Sequence, residues 1–214
     1  SNFGSTEFGF FFMNYHSRLP TVNGRTGTLQ GALDAAAAGP RAAAIVYQAL
    51  GVPPGVSPEA DAAAAAAGAA AATDAYAATA RYFIAYPEDI KLFGLSFNTQ
   101  IGTTGIAMQG EISYKQDAPY LVDDVELLFA ALSPISPGLA ATNQVVPGGA
   151  GFNEIIPGYR LHDSTQLQFT MTKIFSNVLG ADQGVLLTEF GFNQVYDMPS
   201  KDELRFEGPG TYTS

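Results

Sequence analysis

Two alternating arms of eleven and ten residues around a Gly-Thr-Thr-Gly tetrad constrain this chain more than any other feature. In KLFGLSFNTQI, Phe93, Leu95, Phe97, Thr99 and Ile101 fall on one side of an extended chain, and Gly94, Ser96, Asn98 and Gln100 on the other. In IAMQGEISYK, Ile106, Met108, Gly110, Ile112 and Tyr114 oppose Ala107, Gln109, Glu111, Ser113 and Lys115. Successive side chains of a strand point to opposite faces, so this period of two predicts two β-strands. The tetrad at 102–105 is the turn of a hairpin. A second hairpin follows the same plan. Leu167, Phe169, Met171 and Phe175 oppose Gln166, Gln168, Thr170 and Thr172; Leu186, Phe190, Phe192 and Tyr196 oppose Glu189, Gly191 and Asn193, with a turn expected over 177–184. The string TEFGF occurs at Thr6–Phe10 and again at Thr188–Phe192. Both copies are expected as strands running in the same direction, with Phe on one face and Glu and Gly on the other.

An alternating strand is half-buried in a soluble sandwich or stands between lipid and water in a barrel. Three features favour lipid. Charged residues make up only 14 % of the chain, against about 25 % in an ordinary soluble domain. The polar faces carry Gln, Asn, Thr and Glu with almost no Lys. Connections alternate between short (102–105, 177–184) and long (18–90, 116–164), the rhythm of tight turns and large outer loops in outer-membrane barrels. Each arm has the length a tilted strand needs to cross a bilayer. No transmembrane helix is expected: Ala60–Ala72 is nearly all Ala, too weakly apolar to span. Lys173 is the exception on an apolar face, close enough to a short turn for its ammonium to snorkel out. Trp is absent, so an aromatic girdle must come from ten Tyr and fifteen Phe.

Residues 21–86 read as an Ala-rich helical insertion. Ser57 caps, Pro58 opens and Glu59 supports a helix expected from Pro58 to Ala85. TLQGALDAAAAGPRAAAIVYQALG is expected to form two helices broken at Gly39-Pro40. In the second long connection, 116–164, Asp123 or Asp124 caps a short helix with Val125, Leu128, Phe129 and Leu132 on its apolar face, followed by irregular Pro/Gly-rich chain. Asp117, Asp123, Asp124 and Glu126 are calcium candidates by chemistry alone, since their spacing matches no calcium loop and capping accounts for them better.

Catalytic patterns are lacking. Without Cys there is no disulfide, thiolate metal site or Cys nucleophile. His162, Asp163 and Ser164 are adjacent in sequence, whereas triad members meet in space. GLSFN at Gly94–Asn98 lies mid-strand and ends in Asn, unlike a nucleophile elbow. A net charge of −10 repels nucleic acid.

FGFFFMNYHSRLP (Phe8–Pro20), YPEDIKLFGLSFNTQIGTTGIAMQGEISYK (Tyr86–Lys115), DDVELLFAAL (Asp123–Leu132) and MTKIFSNVLGADQGVLLTEFG (Met171–Gly191) resemble DUF1302, a family of Gram-negative outer-membrane proteins of unknown function. The resemblance covers nearly the whole chain. It implies a secreted precursor, a β-barrel in the outer membrane and an association with export or uptake of hydrophobic compounds, lipid-handling pumps included. It assigns no catalytic residue. Five strands are too few to close a barrel, so the chain is expected to be an internal fragment or one protomer of a shared barrel.

The expectation is therefore a mainly β chain: one antiparallel transmembrane barrel segment of up-and-down hairpins over 1–214, with Ala-rich helical extracellular loops. It would bind or pass hydrophobic small molecules or lipids in the Gram-negative outer membrane, without cofactor or catalysis. Its lumen would be lined by Glu7, Asn98, Gln100, Gln109, Glu111, Gln168, Glu189 and Asn193. Expected partners are lipid, hydrophobic small molecules, and further copies or other envelope proteins. Two alternatives remain: a structural subunit of a larger envelope assembly, and an outer-membrane hydrolase using His16 or His162.

Overall fold

The computed structural model describes residues 6–208, which divide into two compact units. The first, residues 6–19, 86–119 and 161–198, is built on one five-stranded sheet. Its strands are β1 (Glu7–Tyr15), β4 (Ile90–Ile101), β5 (Ile106–Leu121), β7 (Tyr159–Val178) and β8 (Ala181–Val195), in that spatial order. β1/β4, β4/β5 and β7/β8 are antiparallel. β5 and β7 are antiparallel as well: Gly110 lies against Gln168, while Tyr114 and Asp117, further along β5, both reach back to Asp163. The two TEFGF copies thus run in the same direction, one in each edge strand.

The register places Phe8, Phe10 and Phe12 opposite Phe97, Leu95 and Phe93, and these opposite Gly110, Ile112 and Tyr114, all on one face. In the other hairpin Leu167, Phe169 and Lys173 pair with Phe192, Phe190 and Leu186. Within this unit the described residues form one sheet layer, without the second that a sandwich would require: Phe8, Phe10, Phe12, Phe93, Ile112, Phe190 and Phe192 are exposed, with Phe10 at 81 %. Rings pack along the sheet instead, Phe12 on Phe93 at 5.0 Å and Phe169 on Phe190 at 5.1 Å between centroids. Phe11 stands on the polar face because its ring lies over Gly94, leaving no room there for a Cβ. The Lys173 ammonium lies 5.2 Å from the Phe175 ring centroid, displaced toward the short turn.

The second hairpin closes more tightly than expected. β7 runs to Val178, which pairs with Ala181 across a two-residue loop, Leu179-Gly180. Both loop residues have positive φ, 54° and 81°, the primed turn whose twist matches its strands. Gly adopts that conformation freely; Leu does not. Leu179→Asn is therefore expected to stabilise the hairpin by about 1 kcal/mol, read as a higher urea midpoint, while Leu179→Val lowers it.

The second unit comprises residues 20–85, 120–160 and 199–208. It contains β2 (Thr21–Arg25), α1 (Leu29–Leu50), α2 (Pro58–Ala77), β3 (Arg81–Ala85), α3 (Asp124–Leu132), α4 (Pro137–Thr142) and β6 (Ile155–Ile156). Ser57 caps α2 as expected, accepting from Ala60 N; Thr28 caps α1 by accepting from Gly31 N, and Gly51 ends α1 in the left-handed conformation. Three expectations are corrected. α1 does not break at Gly39-Pro40 but passes through it. There the two helices touch, a Cβ on Gly39 lying 3.1 Å from the Gly68 carbonyl oxygen, and backbone packing along the whole α1–α2 pair offsets the proline's missing hydrogen bond. α2 stops at Ala77 rather than Ala85, and the β-branched and aromatic run RYFIA becomes β3, paired with β2. The segment expected to be irregular holds α4, capped by Ser136 with Pro137 at its first turn.

β2 lies between β3 and β6 in a three-stranded sheet. Val122, Leu127, Ala130, Val145, Ile156 and Leu204 form its core. Tyr76 at the end of α2 is fully buried, its hydroxyl 3.5 Å from the Gly27 carbonyl oxygen. Asp61 in α2 accepts from Gly55 N and from the Tyr47 hydroxyl, and these bonds hold its carboxyl below the usual range. A depressed carboxyl stabilises the fold above its unfolded value, so this clamp is lost as acidification protonates it.

Candidate functional site

The polar face of the five-stranded sheet carries a concavity that gathers expected site residues. Its volume is ≈ 480 Å³, and Glu7, Ser96, Asn98, Gln109, Glu111, Gln168 and Thr170 line it, with Phe8, Gly9, Phe97, Gly110 and Phe169 between them. Strand register explains the grouping. Glu7, Asn98 and Gln109 form one cross-strand row; Gly9, Ser96 and Glu111 form the next. β7 contributes Gln168 and Thr170. The surface offers carboxylates, amides and hydroxyls without a basic side chain, so it hydrates well and repels anions.

Five of the eight lumen candidates (Glu7, Asn98, Gln109, Glu111 and Gln168) line this concavity. Three do not. Gln100 lies toward the short turn, paired with Ala107; Glu189 and Asn193 lie on β8, opposite Thr170 and Gln166. Ser96 and Thr170 belong to the lining but were missed as candidates. The alternation placed both on the polar face, and their small size hid them.

The four calcium candidates do not converge as a set. Asp123 spends its carboxylate on Val125 N and Glu126 N as the α3 cap. Glu126 pairs with Arg205 at 3.1 Å. Asp117 has φ 59° and donates its backbone N–H to Asp163. Asp123 and Asp124 instead group with Glu207, which the sequence did not suggest, one oxygen from each lying within 4.8 Å of the others.

His16 is exposed just beyond β1. The His162 Nδ1 lies 3.1 Å from the Tyr196 carbonyl oxygen, and the neighbouring Asp163 carboxylate accepts from the Tyr114 hydroxyl and Asp117 N. Ser164 is buried in β7. Asp163 thus orders the strand ends it bridges.

Aromatic residues are segregated along the sheet. Tyr15, Tyr86, Tyr114 and Tyr196 lie at the end remote from the short turns, and the rows between hold Phe, Leu, Ile and Met. From Ile106 to Tyr114 the strand covers eight steps, about 27 Å at ~3.4 Å per residue. No helix among the described residues is long and apolar enough to cross a membrane.

No curated protein and no solved structure matches this chain. The family described as "Protein of unknown function (DUF1302)" matches residues 1–213. The chain belongs to that family.

Proposed function

We propose that this chain forms part of the wall of an outer-membrane β-barrel that binds or passes hydrophobic small molecules. One observation carries the reading: a single-layered sheet exposes a continuous Phe/Leu/Ile face, opposite a face of amides and carboxylates. In water such an apolar face is an aggregation hazard; against acyl chains it is satisfied, and the other face meets a water-filled lumen. The apolar run of about 27 Å along the strand projects to about 21 Å at the ~40° tilt of an outer-membrane barrel strand, which fits within its lipid-facing belt of about 25 Å. The tyrosines at one end suit the membrane–water interface, where an apolar ring with a polar tip is stable. The second unit, with its exposed Leu33, Ile45 and Val56 on and beside the helical pair, would present apolar surface to an arriving solute.

The reading requires that the protein need detergent or lipid for solubility and migrate faster in gels when unheated than when boiled. A chain that stays monodisperse in detergent-free buffer, with heat-insensitive migration, contradicts it. Uptake of a hydrophobic dye into vesicles containing the protein, against protein-free vesicles, tests passage itself.

A second reading draws on β1 and β8 as the outermost strands of the sheet among the described residues. Edge strands template further pairing, so a structural subunit joined to its neighbours through these edges would form regular polymers visible by electron microscopy.

A further inference from the structure

The chain carries −10 net charge and only ten Lys and Arg residues, yet two of them are placed side by side. Arg25 of β2 and Arg81 of β3 are direct cross-strand partners. Both are exposed, and among the described residues neither guanidinium has a hydrogen-bond or ion-pair partner. Like charges directly opposite on antiparallel strands are destabilising. Glu154, just before β6, forms no ion pair with either of them; its carboxylate accepts from Gly151 N. Directly opposed residues share one face of the sheet, so both guanidinium groups can reach a single phosphate, which takes paired N–H donors from each fork.

The surroundings narrow the occupant. On the far side of Arg25 its partner is Ile155, 55 % exposed, so the row across the three strands reads Arg81–Arg25–Ile155. Phe83, two residues along β3, shares that face and is exposed. Its partner Asn23 is buried and accepts from Gly158 N, leaving the exposed surface there to the aromatic ring. A cationic pair flanked by apolar side chains fits an anionic amphiphile better than a free ion. A nucleic-acid backbone offers no acyl chain to meet Ile155 and Phe83.

We propose that this face of the three-stranded sheet docks on a phosphate-bearing lipid surface, Arg25 and Arg81 taking the headgroup phosphate and Ile155 and Phe83 resting on its apolar part. The inference concerns the second unit and does not depend on the barrel reading.

The test is titration calorimetry on the full chain in neutral detergent, using short-chain phosphatidylglycerol, short-chain phosphatidylcholine and inorganic phosphate as separate probes. Phosphatidylglycerol is expected to bind at least about tenfold more tightly than either of the others. Arg25→Gln and Arg81→Gln should each weaken it by about tenfold, the worth of one charge-assisted contact. Phe83→Ser should weaken phosphatidylglycerol while leaving inorganic phosphate unchanged. Without lipid, Arg81→Gln should melt no lower than the parent, because it removes repulsion and no partner. Unchanged phosphatidylglycerol affinity in both Arg variants overturns the proposal, as does equal binding of the two lipids. Inorganic phosphate binding as tightly as phosphatidylglycerol overturns the lipid assignment. A large drop in melting temperature with unchanged lipid affinity shows a structural role for Arg81 and overturns it too.

Discussion

Glu126→Ala is expected to destabilise the second unit by about 3 kcal/mol, the lower part of the range for breaking a buried ion pair. Glu126 is 1 % exposed, and its two oxygens take separate donors: Arg205 at 3.1 Å and Gln144 N at 2.8 Å. Truncation leaves the Gln144 amide without its acceptor and a guanidinium without its counter-charge. Arg205 is more than one-third exposed and regains water, which places the effect at the low end. The same network ties residues 144 and 205 together a second time, through Arg205 N and the Gln144 side chain. The loss should therefore loosen α3 and the 204–206 segment together, visible as faster amide exchange in both. Glu126→Gln keeps one acceptor oxygen, for either Gln144 N or the Arg205 guanidinium, and turns its NH2 toward the other donor, so it should cost about 2 kcal/mol, less than the alanine variant. Urea unfolding of the three proteins in one detergent gives the comparison.

Phe10→Arg gives the second large effect, and its size depends on what the ring faces. Phe10 is 81 % exposed and loses little packing when replaced. Facing water, its substitution would change stability by less than about 0.5 kcal/mol. Facing acyl chains, Arg costs about 2–4 kcal/mol at the bilayer midplane and less toward the interfaces. Phe10 pairs with Leu95, and Leu95 with Ile112, one row inward from Tyr114, so a loss of about 2 kcal/mol is expected in lipid. Gln109→Arg, on the opposite face, should cost little in either medium. Reversible folding into vesicles of defined thickness, followed by urea titration, measures both.

How much was readable in the residues depended on which interaction decides each element. Strand alternation is a local property, so β4, β5, β7 and β8, their faces and the common direction of the TEFGF copies were all legible. That parity puts all eight proposed lining residues on the polar face, and five of them line the hollow. The remaining three share the correct face, but strand position relative to β5 and β7 decides which residues surround the hollow, and single-strand periodicity carries no such information. Pro40 was misread because the gain from packing α1 on α2, with Gly39 and Gly68 in contact, comes from residues thirty positions apart. β3 was absorbed into α2 because Ala77–Ala80 continues the Ala-rich composition; its partner β2 lies more than fifty residues away. Among the acidic residues of the second long connection, the cap at Asp123 is a local signal and was legible, whereas the pairing of Glu126 with Arg205 joins distant parts of the chain and was not.

The account rests on the two faces of the five-stranded sheet meeting different media. The absence of Cys makes that directly measurable, since single cysteines can be introduced at will. Phe10→Cys, Phe93→Cys and Ile112→Cys report one face; Gln109→Cys and Glu111→Cys report the other. With the protein reconstituted in lipid vesicles, labelling by a membrane-impermeant maleimide is expected at the second set and not at the first, and full labelling of both in denaturant provides the scale. Equal, rapid labelling of both sets in lipid would contradict the account.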